Sequence, residues 1–427
     1  MVISKFRKLF QVLGGSVFLW ILYDFANSFL SAALEGLYFS QWVVIDNKFP
    51  DIWYGGTFAA ATLLLLVTAP FLGAWADTYG KKMPFLKVST IAIIIFGVIL
   101  GLISNSFLPV NTKVILALVV FFFIQYFYQT SLTFYNPLLD QLSSVKTRGL
   151  ISGIGQLANN LGFVVATGVF LFLVKSNFVL FGQSGRNQVF LPATILFGLL
   201  ALPMLIKFKE RSVSQLGSTT NFKAVFSQTL KGFRQLFIRQ KNVGIFLIAF
   251  MLISDAILTA NLFFAIFMEQ VYHIPDAQKF ILLALMSIVT IPSCFFFGWL
   301  GDKLGLKKIL TVSCGVLIVS FLLISLSTRS ILLSPLMMFV GLGWGGYYAT
   351  ARALLVNISP TKRLGEYFGF YSTFQKFASI IGPLTWGGVT LLLTDFGIVK
   401  YRIAIIALVA LMLVGTILLT SVKERKT

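Results

Sequence analysis

GAWADTYGKK, residues 73–82, returns in the second half of the chain as GWLGDKLGLKK, residues 298–308. Both copies share the frame G-x-x-x-D-x-x-G, carried by Gly73, Asp77 and Gly80 and again by Gly298, Asp302 and Gly305. A lysine two positions on, Lys82 or Lys307, completes each copy. Each copy also closes a long apolar run and opens another. A polar frame repeated at matching places between apolar runs implies a duplicated unit, a pattern found in secondary transporters built from repeats.

Reading outward from the two frames, apolar runs fall at about 16–40, 53–76, 85–105, 113–139, 149–175, 188–206, 242–269, 277–299, 309–327, 331–357, 366–393 and 401–422. Most reach 20 residues, enough for a helix to cross a hydrocarbon core of about 30 Å, and none alternates like a barrel strand. The mean hydropathy of +0.90, with 57% apolar and 11% charged residues over 427 positions, excludes a water-soluble globular domain. The expected fold class is therefore an all-α polytopic membrane protein, with twelve transmembrane helices in two pseudo-symmetric six-helix bundles.

The net charge of +20 does not point to nucleic acid, because the bases sit in short clusters between the spans. Counted by side, lysine and arginine divide 24 to 8 in favour of the face holding both termini and both Gly-Asp loops. That bias predicts both termini in the cytoplasm and, with short loops, a multi-pass protein of the plasma (inner) membrane. The longest polar stretch, 207–241, separates an N-terminal bundle (1–206) from a C-terminal one (242–427). Within the linker, FKAVFSQTLKGFRQLF (222–237) has the spacing of a helix lying on the membrane surface, so lipid is an expected partner.

Ionisable residues inside spans are costly and have to face protein or water. In span one, ILYDFANSFLSAALEGLY (21–38) places Asp24, Asn27, Ser28, Ser31 and Glu35 on one helical stripe. Span seven, its counterpart after duplication, carries Ser254, Asp255 and Thr259, and aligning YDFANS with SDAILT superimposes Asp24 on Asp255. A carboxylate removed from water is poised to exchange protons, so one of the two could couple transport to a proton gradient. The alternative is permanent pairing with Arg352 or Lys376, the two bases within spans.

Span four adds Gln125, Gln129, Asn136 and Asp140, and span ten adds GLGWGGYYATAR, with Trp344, Tyr347, Tyr348 and Arg352. The glycines of span ten suit close helix packing, and its aromatics offer apolar faces with polar handles. Gln375 and Lys376 lie in span eleven. A zwitterionic substrate needs one anionic and one cationic partner, which Asp24 or Asp255 with Arg352 or Lys376 would supply.

Twelve spans with G-x-x-x-D-x-x-G-x-K after the second and its counterpart after the eighth resemble the major facilitator superfamily. LYDFANSFL, FYNPLLDQL, SDAI and ARALLVNISPTKRLGEYFGFYSTFQKFASIIGPLTWG are similar to the narrower vacuole-effluxer branch, named for fungal vacuolar proteins that release amino acids during autophagy. The resemblance implies alternating access to a midplane cavity and export of amino acids or related small metabolites. It also implies a cytoplasmic gate at the two Gly-Asp loops, where glycines admit close approach and Asp77 or Asp302 meets a helix N-terminus or a base. Arg148 opens span five and Glu366 opens span eleven at the same face, and both join the gate set.

No nucleotide fingerprint, Walker lysine motif, HExxH or nucleophile elbow occurs, so neither an enzyme nor a cofactor is expected. Cys294, Cys314 and His273 lack metal-ligand spacing, and no metal is expected. Two rival readings are a proton-coupled drug or metabolite antiporter and a receptor or scaffold that kept the fold without transport.

Overall fold

The computed structural model describes residues 14–143, 147–176, 179, 182–210, 236–360 and 364–424, without the side chains at 77, 148–150 and 365–366. Among them every long element is helical. With no water in a bilayer core, a helix satisfies each backbone group within its own segment. The first six helices are α1 (Gly15–Leu30), α2 (Asp51–Tyr79), α3 (Met83–Ser104), α4 (Val110–Tyr135), α5 (Arg148–Lys175) and α6 (Phe190–Lys207). The second six are α7 (Lys241–Tyr272), α8 (Asp276–Leu304), α9 (Leu306–Leu326), α10 (Leu333–Ile358), α11 (Leu364–Leu392) and α12 (Val399–Thr420).

By length and composition among the described residues, eleven of the twelve are long and apolar enough to cross a membrane, α1 when taken with the helical turns that continue it to Asp46, and α11 is the exception. At 29 residues α11 is long enough, but Ser372, Thr373, Gln375, Lys376 and Ser379 lower its hydropathy. The expected surface helix at 222–237 falls largely outside the described residues.

The two halves pair their helices alike. In the first, α1 packs on α5 and α6, and α3 on α4 and α6; in the second, α7 packs on α11 and α12, and α9 on α10 and α12. The four glycines of span ten give α10 its place between two neighbours. β-Carbons on Gly341 and Gly345 would run into backbone carbonyls of α8 at Met286 and Thr290, and those on Gly343 and Gly346 into Leu317 and Ser313 of α9. Ser293 Oγ also donates to the Leu342 carbonyl at 2.7 Å. Small residues let helix backbones touch, the main source of association where lipid is as apolar as the side chains.

By their contacts the residues divide into two compact units, Met1–Asn47 with Val67–Val225 and Lys48–Leu66 with Phe226–Thr427. The opening half of α2 thus packs inside the second unit. There Trp386 Nε1 donates to Asp51 Oδ1 at 3.1 Å, Trp386 stacks on Phe263 at 5.0 Å, and Tyr54 meets Phe263 edge-on at 5.7 Å. Asp51→Ala would leave the buried indole N–H without this acceptor, at a cost of about 1–3 kcal/mol. We expect the melting temperature in detergent to fall in the order parent, Asp51→Asn, Asp51→Ala; equal melting would show that the pair adds nothing.

Candidate functional site

In the first unit α1 is the polar helix, and its neighbours hold Asp24 in place through the surrounding backbone. Trp20 stacks on Tyr135 of α4 at 4.9 Å, and Tyr135 OH donates to the Trp20 carbonyl at 2.7 Å. Tyr23 OH and Thr90 Oγ1 of α3 share a hydrogen bond of 2.8 Å. From α5, Asn159 Nδ2 donates to the Asp24 carbonyl at 3.1 Å, and a β-carbon on Gly155 would come within 2.9 Å of Asp24 Oδ2. Asp24 is half-buried, while Asn27 and Ser28 are buried. Both polar atoms of the Asn27 side chain are buried without a hydrogen-bond partner.

The regular stripe predicted for span one stops at Leu30. Residues Ser31–Gly36 form a wider π turn, which rotates the positions that follow it. Such turns gather at functional sites. Within it Glu35 accepts from Gln125 Nε2 of α4 at 2.6 Å and from Ser31 Oγ at 3.3 Å. Gln125 is buried and Gln129 half-buried, whereas Asn136, in the turn Asn136–Leu138 after α4, is exposed.

In the second unit Asp255 and Thr259 are fully buried on α7. Gly382 N of α11 donates to Asp255 Oδ1 at 2.6 Å, a contact across 127 positions of sequence. At the preceding position, Ser254 Oγ and Tyr347 OH of α10 share a hydrogen bond of 2.5 Å. Phe250 lies between Tyr371, at 4.0 Å, and Tyr347, at 6.1 Å, in a continuous stack. Trp344 stacks on Tyr348 at 6.1 Å. Tyr348 and Arg352 are exposed on successive turns of α10, and Gln375 and Lys376 are half-buried on α11. Among the described residues neither Asp24 nor Asp255 forms an ion pair with a lysine or arginine, and Arg352 forms none with an acid.

At the Gly-Asp loops the glycines play different parts. Gly80 and Gly305 take positive φ, 71° and 100°, and turn the chain between helices, whereas Gly73 has nothing within 4 Å of a β-carbon and Gly298 only Ala349 at 3.9 Å. Asp302 is exposed. The side chains of Asp77, Arg148 and Glu366 lie outside the described residues.

Two acids missing from the sequence reading hold these loops. Glu210, after α6, accepts from the backbone N–H of Lys82 at 2.8 Å and of Met83 at 2.7 Å, where α3 begins. Glu424, after α12, accepts from Leu306 N at 2.7 Å and Lys307 N at 3.1 Å, where α9 begins, and Lys307 Nζ donates to the Thr420 carbonyl at 2.6 Å. An unpaired helix start favours a carboxylate, both as hydrogen-bond acceptor and as charge. The signal was available: Lys-Glu-Arg stands at 209–211 and again at 423–425, the same place in each half.

Each glutamate capped by two amides contributes about 1–3 kcal/mol. Glu210→Ala and Glu424→Ala should each lower the melting temperature, and, lying in separate units, their effects should add. A double variant no less stable than either single one would contradict this.

The model of the Major Facilitator Superfamily matches residues 12–383, with a second match at 246–427. The MFS-type transporter YxiO of Bacillus subtilis (strain 168) is 26% identical over 426 residues, covering 95% of this chain and 94% of that protein. The multidrug resistance protein MdtG of Klebsiella pneumoniae (strain 342) is 23% identical, covering 83% and 81%. Among solved structures, the nucleoside transporter NupG superposes with a TM-score of 0.73 at 15% identity, covering 97% of this chain and 100% of that one, a likeness of fold. The chain belongs to the Major Facilitator Superfamily and is a secondary transporter, not an enzyme.

Proposed function

We propose that the chain exports amino acids or related small metabolites by alternating access, with proton coupling at one of two carboxylates, Asp24 and Asp255, that stand on the first helix of each half without a basic partner among the described residues. The observation that carries this reading is the matched placement of Asp24 and Asp255. Each lies on a polar stripe packed against a glycine of the fifth helix of its half, and neither has a basic partner among the described residues. An acid held in a membrane helix without a counter-ion is kept for what it binds. Arg352 and Lys376 supply the positive charge that a substrate carboxylate needs.

The branch resemblance supplies the substrate class, and both termini are assigned to the cytoplasm of the plasma membrane by the distribution of lysine and arginine. The cytoplasmic closure is assigned to the Gly-Asp loops, whose following helices are capped by Glu210 and Glu424.

A second reading, a drug or metabolite antiporter, draws on the aromatic surface of Trp344, Tyr347 and Tyr348 and on the likeness to MdtG. Such a surface suits an apolar cation. Counterflow in proteoliposomes loaded with single unlabelled amino acids separates the two. Export of amino acids predicts transient accumulation of the labelled form; counterflow with lipophilic cations alone supports the antiporter, and none with either class refutes both.

A further inference from the structure

We propose that Asp255 and Thr259, together with the backbone of α11 at 379–383, form a binding site for a small monovalent cation of the size of Na+. The inference deepens the transport reading and rests on it, since it names the ion that the second half carries.

Two side-chain oxygens are left over at this place. Asp255 Oδ1 is engaged by Gly382 N, but Asp255 Oδ2 and Thr259 Oγ1 are buried with no hydrogen-bond partner. Thr259 differs here from threonines elsewhere in the helices. Thr62, Thr90, Thr194, Thr290 and Thr350 all donate to the carbonyl four residues back, the usual outlet for a helical hydroxyl. Thr259 makes no such bond, so its oxygen keeps its lone pairs free, beside the same glycine that the carboxylate touches. A β-carbon on Gly382 would overlap Thr259 Oγ1 and stand 2.6 Å from Asp255 Oδ1. The Thr259 hydroxyl and the Asp255 carboxylate, the latter through Oδ1, therefore meet at one small patch of α11 backbone.

That patch is broken. Residue 383 is a proline within the helix, so the Ser379 carbonyl has lost the N–H that would ordinarily reach it. Transporters bind Na+ with carbonyls released where a membrane helix is interrupted, supplemented by side-chain oxygens. Hard cations take oxygen ligands. A carboxylate, a hydroxyl and a released carbonyl make such a set.

The charge also fits. One carboxylate balances one positive charge, and no cluster of three or more acidic, cysteine or histidine side chains that would suit a divalent ion occurs among the described residues. No lysine or arginine among the described residues neutralises Asp255, so whenever the carboxylate is ionised its charge is left to be met by a mobile cation. The first half repeats the acid, the hydroxyl residue and the glycines as Asp24, Ser28, Gly155 and Gly162. It differs where it matters. Ser28 Oγ donates to the Phe25 carbonyl at 2.6 Å, and α5 contains no proline. The cation therefore belongs to the second half, and Asp24 remains for the proton.

The test is equilibrium binding by the purified full-length protein in detergent, with melting followed in NaCl, KCl or choline chloride at constant ionic strength. A ligand that binds only the folded state raises the melting temperature. A saturable rise specific to Na+ is expected in the parent and in Thr259→Ser, with a half-saturating concentration raised at least ~10-fold in Thr259→Val, as loss of one ligand worth about 1.4 kcal/mol implies. Asp255→Asn should lose the rise entirely. Equal melting in all three salts, as a proton-only site or a buried water would give, overturns the proposal. So does a Na+ response that survives Asp255→Asn or is unchanged in Thr259→Val. If Asp255→Asn does not fold, binding of radioactive sodium to the two Thr259 variants decides the matter. Because no flux is measured, a failure of the transport reading leaves this result legible.

Discussion

Asp24→Asn should reduce uphill transport by at least about 100-fold, the equivalent of roughly 3 kcal/mol, while leaving the fold intact. The side chain is half-buried; Asn159 binds the Asp24 carbonyl, and the Tyr135 hydroxyl, which also faces the Asp24 carboxylate, binds the carbonyl of Trp20. An asparagine of the same shape keeps all of these. It cannot carry a proton or a negative charge, so a step that moves a proton with the substrate is lost, whereas exchange of substrate for substrate needs no net proton movement. Accumulation against a gradient in proteoliposomes should therefore collapse and counterflow persist. The dependence of uphill flux on an imposed pH gradient should vanish with it. Retention of accumulation by Asp24→Asn would remove this residue from the coupling step.

The second large effect is expected at Gly382. An alanine there places its β-carbon on Thr259 Oγ1 and against the Asp255 carboxylate, in a position where both helices are buried. Overpacking of this kind costs about 1–3 kcal/mol, and the strain falls on the two groups assigned to the ion. Gly382→Ala should lower the melting temperature by several degrees and abolish both uphill transport and the Na+-dependent rise. Thr259→Ala in the same chain removes one of the two overlapping atoms, so the pair should be more stable than additivity allows. The ion response should not return, because the hydroxyl is gone. A Gly382→Ala protein that melts and binds Na+ as the parent does would show that the two helices do not meet as closely as described.

Much of the architecture was open to reading along the chain, for reasons that are local. Hydropathy summed over 20 residues identifies a span whatever surrounds it, and the two Gly-Asp frames repeat within a few residues of a span end. The polar positions of α1 and α7 were visible in the same way, since a charge stands out against an apolar run. Other features resisted local reading. Glu35 was placed on a regular stripe, but the π turn Ser31–Gly36 sets its direction, and nothing in helical periodicity announces such a turn. Asp51, just before the apolar run at 53–76, is buried against Trp386, 335 residues away in sequence.

Lipid contact, helix number, duplication and the matched acids Asp24 and Asp255 were determined by the sequence itself, because each depends on the composition of one segment or on likeness between two. Only the tertiary structure decided that Asp255 and Thr259 meet Gly382 beside a proline-broken turn, and that Glu210 and Glu424 reach the starts of α3 and α9. In a membrane, hydropathy selects what is buried in lipid but does not distinguish one apolar helix face from another. Which faces touch is settled by small residues and by polar groups in need of partners, and those partners lie more than a hundred residues away.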